Sequence, residues 1–272
     1  MAELRDADAI SPAMRATLGV ALAVLFIPLF VIVLLSFNTS PYGTLPFKFT
    51  TRWYTTLFSS SELLGPTWLS LELSAVVAAS ASAFGTMAAL WLVRHAGRGA
   101  ARLFRAVLVS AITVPWLILG LAMLLVMNAI GLGRSLLSIY LGLLATTLPY
   151  VVFIVAERLG AIDRTLEQAA RSLGAGPLPT FLSITAPLTL PAIISGTLIA
   201  FIVSFNNFLV QYFLAPFGVE TLPLKIYTLI RVGYLPDLNA LATLIVAATF
   251  LLILLLHRLG LGNAGLPGGN AR

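Results

Sequence analysis

The sequence predicts an all-α polytopic membrane protein with six transmembrane helices, on three observations. Hydrophobic residues make up 59% of the chain against 10% charged, and the mean hydropathy is +1.01, far from the balance of a soluble domain. The apolar residues gather in runs long enough to cross a bilayer, separated by shorter polar stretches. The basic residues stand singly at the ends of those runs. A net charge of +6 therefore points to topology determinants and a lipid environment rather than to nucleic acid.

Residues 1–17 form a polar tail of mixed charge. Leu18–Leu35 carries no charge and makes the first span, with Pro28 expected to kink it. Glu3, Asp6 and Asp8 precede it and no small-x-small cleavage site follows, so it reads as a retained span rather than a signal peptide. Phe37–Gly65 is polar and aromatic. Its turn residues Asn38, Ser40, Pro41 and Gly43 and the pair Trp53–Tyr54 predict an extracytoplasmic loop with an interfacial helix, the pair serving as an aromatic belt.

The second span, about Pro66–Val93, is rich in small residues from Ser74 to Gly85, which permit close helix packing inside a bundle. A basic loop containing Arg94, His95, Arg98, Arg102 and Arg105 leads to a third span, about Leu103–Ile130, with Pro115 in its middle. The short turn Gly131–Arg134 makes the fourth span, about Leu136–Ala156, antiparallel to the third. The fifth runs from about Pro191 to Ala215, Pro216–Asp237 is a polar loop, and Leu238–Leu256 is the sixth. Residues 18–258 thus form one six-span transmembrane domain. The Gly-rich tail 259–272 is expected to be disordered.

Six spans put both termini on one side. Arg5, Arg15, Arg94, Arg98, Arg102, Arg105, Arg158, Arg164, Arg171, Arg258 and Arg272 share that side; Lys48, Arg52, Arg134, Lys225 and Arg231 fall on the other. The positive-inside rule makes the termini and the central loop, residues 158–190, cytoplasmic.

Catalytic chemistry finds little support. Neither Lys48 nor Lys225 is followed by Ser or Thr, so no GxxxxGK[ST] nucleotide loop exists, and any ATPase belongs to another subunit. Two histidines, His95 and His257, sit at span ends, and with no cysteine a metal site is not expected. Glu72 and Glu157 are too few for a proton relay. The polar feature within a span is Ser204-Phe205-Asn206-Asn207, with Gln211 a turn further, and Trp116 beside Pro115 is a second candidate. Amides in an apolar helix either bond to a neighbouring helix or line a wet path. Both readings stand for Asn206, Asn207 and Gln211, while packing is the better reading for Trp116.

The central loop carries the most information. Leu166, Ala169, Ala170 and Leu173 fall on one face of a short helix, and Glu167, Gln168, Arg171 and Ser172 on the other. Thr165 and Gln168 fit a capping box, and Gly174 and Gly176 before Pro177 mark the stop. An interfacial connector would show similar amphipathicity. The run Glu167-Gln168-Ala169-Ala170-Arg171-Ser172-Leu173-Gly174, with Ile184-Thr185-Ala186-Pro187 beyond it, resembles the cytoplasmic EAA loop of ABC importer membrane subunits. That motif reads Glu-Ala-Ala, three residues, Gly, nine residues, Ile-x-Leu-Pro. Both alanines, Gly174, Ile184 and Pro187 match in spacing, while Gln168 replaces the Glu, with Glu167 before it, and Ala186 replaces the Leu.

The resemblance extends over about residues 27–256, through Ser36–Asn38, Phe49–Phe58, Leu222–Gly233 and Leu238–Leu244, to the second permease subunit of spermidine/putrescine-type transporters. It implies the type I ABC importer permease fold in a bacterial inner membrane. It implies two cytoplasmic ATP-binding subunits holding ATP and Mg, a second permease subunit, an extracytoplasmic substrate-binding protein, and no cofactor on this chain. Coupling to the ATPase would fall to Glu167, Gln168, Ala169, Ala170, Gly174, Ile184 and Pro187. Polyamine members carry acidic residues near the positions of Asn206, Asn207 and Trp116. Uncharged groups there favour a polycation less, so another small polar solute, such as an amino-acid derivative, stays open. A self-sufficient channel or secondary carrier is the rival class, and it predicts internal repeats that the sequence does not show.

Overall fold

The computed structural model describes residues 11–40, 44–59, 61–232 and 237–258. Most of the N-terminal tail (with Arg5), the turn residues Pro41 and Gly43, and the tail 259–272 (with Arg272) lie outside the described residues. The chain divides into two compact units, residues 1–61 with 229–253, and residues 62–228 with 254–272.

In the first unit, α1 (Pro12–Ser36) starts with Pro12 at its first position and Ser11 as its cap, the serine oxygen accepting from the Met14 N–H at 3.3 Å. It is assigned as one helix through Pro28, and Val20, Val24, Phe26 and Phe30 lie exposed along it. The expected interfacial helix is α2 (Arg52–Ser59). Trp53 donates its indole N–H to the Asn38 carbonyl at 2.7 Å, and the Tyr54 hydroxyl meets Ser36 Oγ at 2.8 Å. Phe37 packs against Phe49 and Tyr54, with ring centroids 5.5 and 5.2 Å away. The aromatic pair thus pins the loop to the end of α1.

The second unit is built on α6 (Leu136–Ala161), which packs along α9 (Ala186–Asn206) and also meets α4 (Gly99–Thr113) and α10 (Phe208–Leu214). Val151 and Val152 of α6 are fully buried with Ala78, Ala81 and Ala89 of α3 (Ser61–Arg94) and Ala200 of α9. Glycines set the spacing here. A Cβ on Gly85 of α3 would lie 2.8 Å from Val151 Cβ, and one on Gly196 of α9 would lie 3.4 Å from Val151 Cα. The small-residue run of the second span thus does what its composition predicts.

Among the described residues four helices are long and apolar enough to cross a membrane: α1, α3, α6 and the continuous stretch Pro177–Asn206. The expected third span is α4 followed by α5 (Trp116–Ala129), bent by 112°. Pro115 lacks an N–H and holds Val114 extended at φ −68°, ψ 131°, which stops α4. Counted as one span, the bent pair makes five. The sixth expected span falls on α12 (Asp237–Arg258), 22 residues long.

Two further expectations are corrected. The helix that carries the fifth span is not confined to Pro191–Ala215: it starts at Pro177, passes through α8 (Pro177–Thr180) and a π-helical turn (Phe181–Thr185), and breaks at Asn207 before α10. Pro216–Asp237 is not simply a loop, because it holds α11 (Leu222–Val232). The Leu222 N–H donates to Ser70 Oγ at 2.8 Å, and Lys225 Nζ lies 3.0 Å from Glu62 and 3.4 Å from Glu220. The Glu62 hydrogen bond, helped by Glu220 and opposed by burial, raises the Lys225 pKa.

Candidate functional site

The central loop proves mostly helical. Between the end of α6 and the start of α8 stands α7 (Arg164–Ser172), nine residues long. Its cap is Asp163 rather than Thr165: the carboxylate accepts from the Thr165 N–H at 2.9 Å. That bond, with a side-chain bond from Thr165, holds the Asp163 carboxyl below its ordinary pKa, so the negative charge stays at the positive end of the helix dipole.

The other end of α7 is closed by glycine. Gly174 has φ +88°, its N–H donates to the Arg171 carbonyl at 3.0 Å, and the Ala175 N–H donates to the Ala170 carbonyl at 3.0 Å. These two bonds make a Schellman motif, which needs a residue in the left-handed region. The Gly of the motif is therefore a stop for α7, fixed by backbone geometry.

The orientation of α7 is inverted relative to a surface helix of a soluble protein. Glu167, Gln168 and Arg171 face a cavity of about 300 Å³ that Arg94, Arg164 and Thr185 also line. Leu166 and Leu173, 46% and 90% exposed, and Ala169 point outward. Glu167 Oε1 accepts a hydrogen bond from Thr185 Oγ1 at 2.6 Å, tying α7 to the π-helical turn. Arg164 donates to the Val93 carbonyl at 3.3 Å, tying α7 to α3, and Arg158 of α6 donates to the Leu188 carbonyl of α9 at 3.0 Å. Ile184 lies in the π-helical turn and Pro187 at the start of α9. All seven expected coupling positions thus lie on α7, its stop, the π-helical turn and the base of α9. Thr185, Asp163, Arg94 and Arg164 were not singled out from sequence. Thr185 occupies the variable position of the Ile-x-Leu-Pro element, so the motif carries no signal for it.

The four candidate path residues separate. Asn206 is exposed, and its amide donates to the Ile202 carbonyl of its own helix at 3.1 Å. Asn207 is fully buried and caps α10, its side-chain oxygen accepting from the Val210 N–H at 3.1 Å. Gln211, also buried, donates to the Ser204 carbonyl at 3.0 Å across the break. Ser204 Oγ, Asn207 Nδ2 and Gln211 Oε1 have no partner among the described residues. Trp116 is half-buried at the start of α5. A broken helix with buried amides at the break is how membrane proteins place irregular backbone beside a cavity.

Packed apolar helices, a broken apolar helix and a short helix with Leu166 and Leu173 turned outward are the features of a polytopic helical membrane protein. The chain belongs to the family of binding-protein-dependent transport system inner membrane components, whose model matches residues 81–260. It is 36% identical over 230 residues to the putrescine transport system permease protein PotI of Escherichia coli (strain K12), covering 82% of each chain. It is 30% identical over 241 residues to the spermidine/putrescine transport system permease protein PotC of Haemophilus influenzae, covering 89% of this chain and 93% of that one. Among solved structures, it matches a chain of a bacterial ABC transporter involved in the import of the acidic polysaccharide alginate. There the TM-score is 0.64 at 17% identity, over 92% of this chain and 97% of that one, a likeness of fold.

Proposed function

We propose that this chain is one of two permease subunits of an ATP-driven importer for putrescine or a related small amine. The observation that carries the coupling part of this reading is the inverted amphipathicity of α7. A helix that turns Glu167, Gln168 and Arg171 toward a cavity of its own protein and presents Leu166, Ala169 and Leu173 outward is held ready for a second surface. That surface is the cleft of a separate cytoplasmic ATPase, on which ATP and Mg reside. Two such ATPases, a second permease subunit and an extracytoplasmic substrate-binding protein complete the assembly.

Closure of the ATPase pair displaces α7. The Glu167–Thr185 and Arg164–Val93 bonds carry that displacement to α9 and α3. Of the four path candidates, Asn206, which is exposed, and Trp116, which is half-buried, are the two this reading assigns to cargo, whereas Asn207 and Gln211 bond within the break. The cargo reading is supported by the relatives named for putrescine and spermidine/putrescine. Reconstitution with the partner subunits tests both halves: labelled putrescine should enter liposomes with ATP and the binding protein present, and not without either. Uptake without nucleotide sinks the ATP-driven reading, and ATP-dependent uptake of other solutes but not amines sinks the cargo.

A further inference from the structure

The cavity behind α7 carries charge that no carboxylate among the described residues pairs with. Three guanidinium groups, those of Arg94, Arg164 and Arg171, line it with one carboxylate, that of Glu167, a surplus of two positive charges. The carboxylate is engaged by Thr185. Among the described residues no carboxylate lies within ion-pair distance of any of the three arginines, and only Arg164 spends a side-chain N–H on the protein, at the Val93 carbonyl. A concave site lined by one sign of charge focuses its field and concentrates counter-ions. Guanidinium forks match the oxygens of a phosphate group in geometry as well as charge.

We infer that this cavity binds a phosphate-bearing anion, which bridges α7 to the end of α3. The position agrees with the chemistry. Arg94 is the last residue of α3, and Leu159 and Ile162 at the end of α6 supply an apolar wall. The guanidinium groups therefore stand where an apolar span gives way to polar ends, the depth of lipid headgroups. A volume near 300 Å³ has room for a phosphate with an attached organic moiety. The occupant is an anionic phospholipid headgroup or a free organic or inorganic phosphate. Whichever it is, it sets how firmly α7 is held against the spans, independently of the cargo.

The test uses the assembled transporter, all subunits present, in nanodiscs. Native mass spectrometry counts phosphatidylglycerol retained against a phosphatidylcholine background, and calorimetry follows inorganic phosphate added in phosphatidylcholine alone. Wild type is compared with Arg94→Gln/Arg171→Gln, with Arg94→Gln alone, whose side chain makes no hydrogen bond among the described residues, and with Arg98→Gln/Arg102→Gln outside the cavity. Retention of phosphatidylglycerol, about tenfold weaker in the double variant and unchanged in the outside control, supports the site with a lipid occupant. Phosphate binding in neutral lipid with the same variant pattern supports the site with a free anion. Failure of both probes to bind wild type overturns the inference. So does binding that Arg94→Gln and the double variant leave unchanged, or that the outside control reduces equally.

Discussion

Thr185 donates its hydroxyl to Glu167 Oε1 at 2.6 Å, joining α7 to the π-helical turn that opens the fifth span. Both partners are at least partly shielded, Thr185 almost completely. Hydrogen bonds to charged groups contribute about 1.5–3 kcal/mol when shielded, and the half-exposed carboxylate places this one near the lower end.

Thr185→Val removes the donor and Glu167→Gln the charge. A double-mutant cycle on thermal unfolding in detergent should show the two substitutions coupled by about 1 kcal/mol. In the assembled transporter each should raise the ATP hydrolysed per solute moved, because α7 then follows the ATPase without drawing the π-helical turn with it. Additive effects on stability and an unchanged ratio would mean that the bond is incidental.

Gly174→Ala should cost about 1–2 kcal/mol from backbone conformation alone. Nothing lies within 4 Å of a Cβ added there, so no steric clash contributes, and φ +88° is the whole cause. Gly174→Asn should be milder, because Asn tolerates the left-handed region. Gly176→Ala, at φ −70° with its nearest contact at 3.7 Å, should be close to neutral. The ranking is checked by how much ATPase co-purifies with each variant.

Gly85→Ala should destabilise the second unit by about 1–3 kcal/mol, the usual cost of overpacking. The atom it meets at 2.8 Å is Val151 Cβ, which cannot swing aside without moving the α6 backbone. Gly196→Ala meets Val151 at 3.4 Å and should be tolerated far better. Melting temperatures of the two variants, read side by side, decide this.

Much of this was legible in the sequence because it rests on local pattern. Apolar runs located α1, α3 and α6, small residues foretold that α3 packs closely inside a bundle, and motif spacing located α7 and its stop at Gly174. What was not legible depends on backbone geometry inside apolar runs. Pro115 was seen, yet a proline in a span signals anything from a slight kink to the 112° turn between α4 and α5. The break at Asn207 leaves no mark in hydropathy, since Phe208–Leu214 is as apolar as the helix before it. Thr165 and Gln168 fitted a capping box, but Asp163 lies two residues earlier and supplies the stronger, charged acceptor. The amphipathicity of α7 gave its two faces correctly. Only the structure shows that the polar one turns inward.

Asn207→Ala removes the cap of α10 and should cost about 1 kcal/mol or somewhat more. Asn206→Ala should leave stability nearly unchanged, since its amide bonds only to its own exposed helix. If Asn206 faces cargo, its loss instead alters the concentration dependence of uptake. Measuring melting and uptake for both variants separates the structural amide from the contact amide.

The most direct test of the account uses the absence of cysteine from the chain. A thiol placed at Ala169→Cys, on the outward face of α7, is the only one present, and Phe217→Cys, fully exposed after α10, provides a control. In native membranes, a short crosslinker should join Ala169→Cys to an ATP-hydrolysing subunit, with a yield that changes on adding nucleotide. Phe217→Cys should give no such product. Crosslinking to the ATPase from neither position, with amine uptake continuing in the absence of ATP, would contradict the coupling role of α7.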